Sequence, residues 1–149
     1  MDKKFNVRVY GLLINHHDEI LISDEIIFGK YYSKFPGGGL EFGEGTIDCL
    51  KREWMEELNQ EIKILKHFYT TDFYQPSFLN PNHQVISIYY LIEIIGELKV
   101  ETKLNTFDFD LNKNEEQVFR WAKIETLNET ELQLPIDKKV LELLKLHIN

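Results

Sequence analysis

The stretch FPGGGLEFGEGTIDCLKREWMEEL, from Phe35 to Leu58, decides the reading of this chain. Its first half carries five glycines, at 37, 38, 39, 43 and 45. Its second half reads as a helix that gathers acids instead of spreading them. Thr46 can N-cap that helix, Asp48 falls in the favoured first turn, and Asn59 suits a left-handed end. Glu53, Glu56 and Glu57 stand at i, i+3 and i+4, on one face. Ile47, Leu50, Trp54 and Leu58 form an apolar stripe beside them.

Like charges at this spacing cost about 0.2–0.5 kcal/mol per pair. Arg52 can relieve Glu56 four residues on, but no neighbour relieves both Glu53 and Glu57. Two readings follow from the acids: a solvated acidic face, or a site for a divalent cation. Carboxylates without His or Cys suit hard ions, Mg²⁺ or Mn²⁺, rather than Zn²⁺. Gly37, Gly38 and Gly39 add weight to the second reading, because bare backbone can approach a phosphate and a carbonyl can join a metal shell. Two phosphate motifs are excluded. Glu44 stands where a P-loop needs Lys, and Phe42 occupies the last glycine position of the dinucleotide fingerprint.

The rest of the chain sets bounds. Its 149 residues suit one domain, 1–149, with a sizeable core, and no repeat or linker marks a boundary. Seventeen basic against twenty-five acidic residues, a formal charge of −8, argue against general nucleic-acid binding but not against a small phosphate ligand. The opening MDKKFNVRVY lacks an apolar run suited to a signal peptide, and the longest apolar run, 85–96, is too short to span a bilayer. Cys49 is the only cysteine, and it reads as a small buried filler. The expectation is a cytoplasmic protein with no membrane partner.

Alternation over Phe5–Leu13 predicts a strand. The turn Asn15-His16-His17-Asp18 leads to a partner strand, EILIS, and the aromatic segment 25–35 reads as a loop ending in a short strand. Residues 62–69 form another strand. QVISIYYLIEII predicts a central strand covered on both faces, residues 102–114 a loop, FRWAKI a strand, and Pro135 opens a last helix. Strands, helix, strands, helix favour an α/β (α+β) fold with a mixed sheet and helices on both faces.

Gly38, Glu44, Arg52, Glu53, Trp54, Glu56 and Glu57 together resemble, in order and spacing, the signature of the Nudix hydrolases. Two positions depart: Asn59 replaces the final Gly and Gln60 the final apolar residue. The resemblance implies the Nudix α/β/α sandwich with its loop-helix-loop. It implies a metal-dependent pyrophosphohydrolase that cleaves the phosphoanhydride of a nucleoside diphosphate linked to another group. By the same resemblance Glu53, Glu56, Glu57 and the Gly37 carbonyl would hold Mg²⁺ or Mn²⁺, Arg52 would orient Glu53, and Glu44 would brace loop against helix. The general base would be Glu53 or a later glutamate, Glu115 or Glu116, with Glu115 favoured of the two. A homodimer is expected on the same ground.

Substrate choice is less written in the sequence. Gly38 and Gly39 would lie against phosphate, and Arg8 and Lys34 are candidate phosphate contacts. Pro76, sixteen residues past Gln60, is similar to a marker of the family's ADP-ribose pyrophosphatases, though a turn proline fits equally. ADP-ribose and sugar nucleotides are therefore the substrates to consider. The alternatives are a diphosphatase that cleans the nucleoside triphosphate pool and a non-catalytic nucleotide sensor.

Overall fold

The computed structural model describes residues 2–148. The described residues make eight strands and two α-helices, in the mixed class the sequence predicts, with the strands divided between two four-stranded sheets. It folds as two compact units. One holds the chain up to Leu12 together with Gly37–Lys99, the other Leu13–Pro36 together with the chain from Val100 on.

The first unit is built on β1 (Lys4–Leu13), β4 (Gly37–Gly39), β5 (Ile62–Thr70) and β6 (His83–Ile94), in the order β4-β1-β6-β5. The glycine triplet is thus an edge strand and not a loop, antiparallel to β1 with Arg8 opposite Gly39 and Tyr10 opposite Gly37. Glycine is required at 37, where any Cβ would run into the Val9 carbonyl and Tyr10 Cα. β6 is interior in the sheet, as its apolar run predicts, but its second face is well buried only at Ile92. Ser87, Tyr89 and Leu91 are covered while Ile88 and Tyr90 are half-buried.

Helix α1 (Thr46–Leu58) starts within one residue of expectation: Gly45 is the cap residue, and the Thr46 hydroxyl instead bonds Tyr90 at 2.7 Å. Asn59 ends it in the left-handed conformation, φ 51°, its N–H returning to the Met55 carbonyl. Leu50, Trp54 and Leu58 are buried, with Cys49 in place of Ile47, which is 42% exposed at the first turn. Gln60, where the signature has an apolar residue, is fully buried. Its amide donates to the Ile95 carbonyl at 3.1 Å and accepts from the Lys99 N–H at 3.1 Å, which removes the cost of burying a polar group.

The second unit holds β2 (Glu19–Ile27), β3 (Lys30–Lys34), β7 (Thr102–Lys103) and β8 (Gln117–Lys123), in the order β3-β2-β8-β7, with helix α2 (Pro135–His147). The segment read as an irregular loop is a hairpin. β2 runs on to Ile27, and Phe28-Gly29, at φ 50° and 75°, turns the chain straight into β3. A buried ion pair pins this sheet. Arg120 Nε donates to Asp24 at 2.8 Å and the Ser33 hydroxyl donates to the same carboxylate at 2.6 Å. The Phe107 N–H completes its shell at 3.0 Å. So many donors offset the desolvation of the buried charge. Among the described residues no helix is long and apolar enough to cross a membrane.

The seating of α1 gives a stability prediction. A Cβ on Gly11 would lie 2.7 Å from Ile92 Cδ1 and 2.9 Å from Trp54 Nε1, both packed within the same unit. Gly11→Ala should cost about 1–3 kcal/mol in urea unfolding. A variant as stable as the parent would show that Trp54 is not wedged against β1.

Candidate functional site

The first unit brings together Arg8, Gly37, Gly38, Gly39, Glu44, Arg52, Glu53, Glu56 and Glu57 on β1, β4, the loop after β4 and α1. Arg52 is the centre of the acidic set. Its Nε and Nη2 grip the Glu44 carboxylate at 3.0 and 2.7 Å, and Nη2 also donates to the Gly39 carbonyl at 3.0 Å. Nη1 donates to Glu53 at 2.9 Å and to Glu56 at 3.2 Å. Arg52 therefore relieves Glu53 as well as Glu56, which helix spacing alone does not reveal. The bidentate grip and a backbone N–H from Glu41 at 2.9 Å hold the Glu44 carboxyl down to about 2, from 4.5, with the Arg52 hydrogen bond the larger cause. The hydrogen bond to Glu44, with Glu53 beside it, pushes Arg52 further above its ordinary value.

Gly38 supplies a cradle. A Cβ there would collide with the Glu53 carboxylate, its carbon and both oxygens. Only glycine lets that carboxylate lie against the strand. Ladder alternation sets the neighbouring carbonyls. The Leu40 N–H bonds the Val7 carbonyl at 2.9 Å, so the bonded pairs are Val7/Leu40 and, two along, Val9/Gly38. Gly37 and Gly39 then turn their carbonyls off the sheet edge, and Gly39 delivers its own to Arg52. Gly37 C=O points to the same side. Glu57 is half-buried one turn beyond Glu53. Among the described residues no three His, Cys, Asp or Glu side chains come together as a metal-ligand group, and Arg52 lies between Glu53 and Glu56. The donor set is nonetheless all oxygen and the Gly38 cradle fits one carboxylate to the strand, both of which suit a hard divalent ion.

Arg8 lies on β1 beside Gly39. Its Nε donates to the Tyr10 hydroxyl at 2.6 Å, and its Nη1 is 3.6 Å from where a Gly39 Cβ would be. Pro76 sits in an extension of the β5–β6 hairpin, bridged to Gln84. The neighbouring bonds, Ser77 N–H to His83 and Val85 N–H to Gln75, skip position 76, so a residue without an N–H costs nothing there. Its place is accounted for by the hairpin. Cys49 is fully buried and its thiol is pushed up to about 12 by burial, which fits a filler and not a nucleophile.

Lys34, Glu115 and Glu116 belong to the second unit. Lys34 is buried on β3, its ammonium 3.5 Å from Glu25. The Glu115 carboxylate accepts from the Asp110 N–H at 2.8 Å and lies 3.5 Å from Lys103. Glu116 is exposed, and its carbonyl accepts from the Ile26 N–H at 2.8 Å. Sequence reasoning missed Glu41, whose carboxylate is 3.7 Å from Arg52 Nη1.

The NUDIX domain model matches residues 4–144, and the chain belongs to that family. The E. coli ORF135 protein has a similar structure at 19% identity, covering 96% of this chain and 90% of its own, with a TM-score of 0.69. A MutT protein from Methanosarcina mazei Go1 matches at 17% identity over 100% and 99% of the two chains, TM-score 0.70. An ADP-ribose pyrophosphatase from Streptococcus suis matches at 18% over 95% and 87%, TM-score 0.61. No curated protein matches. The protein is a Nudix hydrolase, an enzyme of a family that generally uses divalent metal ions and acts on pyrophosphate bonds of small nucleotide-derived substrates.

The Glu44–Arg52 grip predicts a pH dependence. Glu44 is depressed in the folded state, so its contribution is full above about 4.5 and lost as the pH falls towards about 2. The stability difference between the native chain and Glu44→Gln should be constant at neutral pH and close over that window in acid urea titrations. A difference that does not change between neutral pH and the acid limit would disprove the ionised pairing.

Proposed function

We propose that this chain hydrolyses the phosphoanhydride of a nucleoside diphosphate linked to another group, with a divalent cation, Mg²⁺ or Mn²⁺, held by Glu53, Glu56, Glu57 and the Gly37 carbonyl. The observation that carries this reading is the seating of Glu53. Its carboxylate is held against Gly38, where no side chain fits, and is oriented by an arginine that is itself clamped to Glu44. A structural acidic face has no use for such placement.

A bound divalent cation would neutralise the diphosphate, which an acidic site otherwise repels, and lower the pKa of the attacking water. The remaining tasks fall to the chain. Arg52 fixes the Glu53 carboxylate, and Glu44 fixes Arg52. Gly39 leaves its stretch of the strand edge without a side chain and open to phosphate oxygens, with Arg8 as a cation beside it, while Gly38 makes room for Glu53. Glu53 would accept the proton of the attacking water. Glu115, in the second unit, is the alternative base. The fold shared with an ADP-ribose pyrophosphatase makes ADP-ribose the first substrate to try, followed by sugar nucleotides.

The test is hydrolysis with Mg²⁺ against ADP-ribose, sugar nucleotides, dinucleoside polyphosphates and nucleoside triphosphates, products separated by chromatography. Cleavage of a linked nucleoside diphosphate is expected. Glu57→Gln should lower kcat/KM by about 100-fold or more, since even residues that only support metal ligands cost 10–100-fold. Its unfolding midpoint should stay close to that of the parent. Undiminished activity in Glu57→Gln would reject Glu57 as a ligand, and cleavage of triphosphates alone would reject the substrate class.

A further inference from the structure

A guanidinium has five N–H donors and cannot give up its proton. In Arg52 each donor has an acceptor. Nε and one Nη2 hydrogen are on Glu44, and the other Nη2 hydrogen is on the Gly39 carbonyl. The two Nη1 hydrogens are on Glu53 and Glu56. Any ligand that draws the Glu56 carboxylate away strands an Nη1 hydrogen. The guanidinium cannot follow Glu56, because three of its bonds pin it to Glu44 and β4.

Glu41 is the acceptor in waiting. Its carboxylate is 3.7 Å from Nη1, close enough for attraction and too far for a hydrogen bond. Its own N–H is tied to Glu44 at 2.9 Å, which sets the residue beside Arg52. Its side chain is 68% exposed and Glu56 58%, so both have room to turn.

We propose that Glu41 is a positioning residue that takes Arg52 Nη1 over from Glu56 when a divalent cation binds. Glu56 then turns to the cation while the guanidinium keeps all five donors satisfied and continues to hold Glu53. Glu41 itself touches neither cation nor substrate. The inference rests on the metal site proposed above.

The test is Mn²⁺ binding to the full chain, followed by the electron paramagnetic resonance signal of free Mn²⁺, with unfolding midpoints confirming that each variant folds. Glu41→Gln should weaken Mn²⁺ binding about two- to fivefold, the worth of an exposed charged pair. Glu41→Asp should weaken it as much, because the charge is kept but the side chain is one methylene too short to reach Nη1. In an Arg52→Gln background, Glu41→Gln should have no further effect. Native affinity in Glu41→Asp would show a general charge effect and overturn the exchange. A loss on Glu41→Gln that persists in Arg52→Gln would make Glu41 a direct ligand and overturn it too. If Arg52→Gln does not fold, the Gln and Asp variants at position 41 decide alone. Unchanged affinity in every Glu41 variant would sink this inference only, whereas no Mn²⁺ binding by the native chain would sink the metal site with it.

Discussion

The two-pronged hold of Arg52 on Glu44 is the contact on which the acidic site depends. Glu44 lies in the loop before α1 and Arg52 two turns into the helix, so one fork–carboxylate pair ties loop to helix. The same guanidinium reaches back to the Gly39 carbonyl and fixes the edge strand. With three bonds spent on the scaffold, the remaining nitrogen has one possible place, between Glu53 and Glu56. An arginine does this where a lysine would not, because its donors are rigidly spaced. Glu53 and Glu56, which helix spacing makes repulsive, share one cation of the chain's own.

This array needs the helix in one position, and packing provides that. Trp54 is fully buried, and it fits because Gly11 and β6 leave it room. The left-handed Asn59 closes the helix and turns Gln60 inward, where two backbone partners satisfy it. The departures from the signature at 59 and 60 thus change the local bonding and keep the geometry. The two units rely on similar chemistry. Asp24 and Arg120 form a buried ion pair with added donors from Ser33 and Phe107, so its carboxylate is as fully bonded as Glu44.

Much of the fold was legible because it rests on period and on caps. β1, β5, β6, β8 and both helices lie within a few residues of where alternation, helical spacing, Pro135 and Asn59 put them. The β2–β3 hairpin was not legible, because Phe28 takes a positive φ that the usual Asn or Asp signals and an aromatic does not. The glycine triplet hid its strand for a related reason. Glycine lowers strand propensity, and only the collisions a side chain would meet at Gly37 and Gly38 show why it is used. Of the site, the acids and Arg52 were readable from spacing and resemblance. The Gly39 carbonyl and Glu41 were not, because they meet Arg52 through the fold of the loop and not through helical repeat. Pro76 was readable as a residue but ambiguous in meaning, and the hairpin ladder explains its position without a ligand.

The most direct measurement is to locate a bound paramagnetic cation by nuclear magnetic resonance. Mn²⁺ added in small amounts to the ¹⁵N-labelled chain broadens amide signals close to where it binds. A cation held by Glu53, Glu56 and Glu57 should selectively broaden the signals of Gly37 and Gly38 and of Glu53–Glu57, an effect reversed by excess Mg²⁺. Broadening centred elsewhere, or none at millimolar Mn²⁺, would contradict a cation site built on Glu53, Glu56 and Glu57.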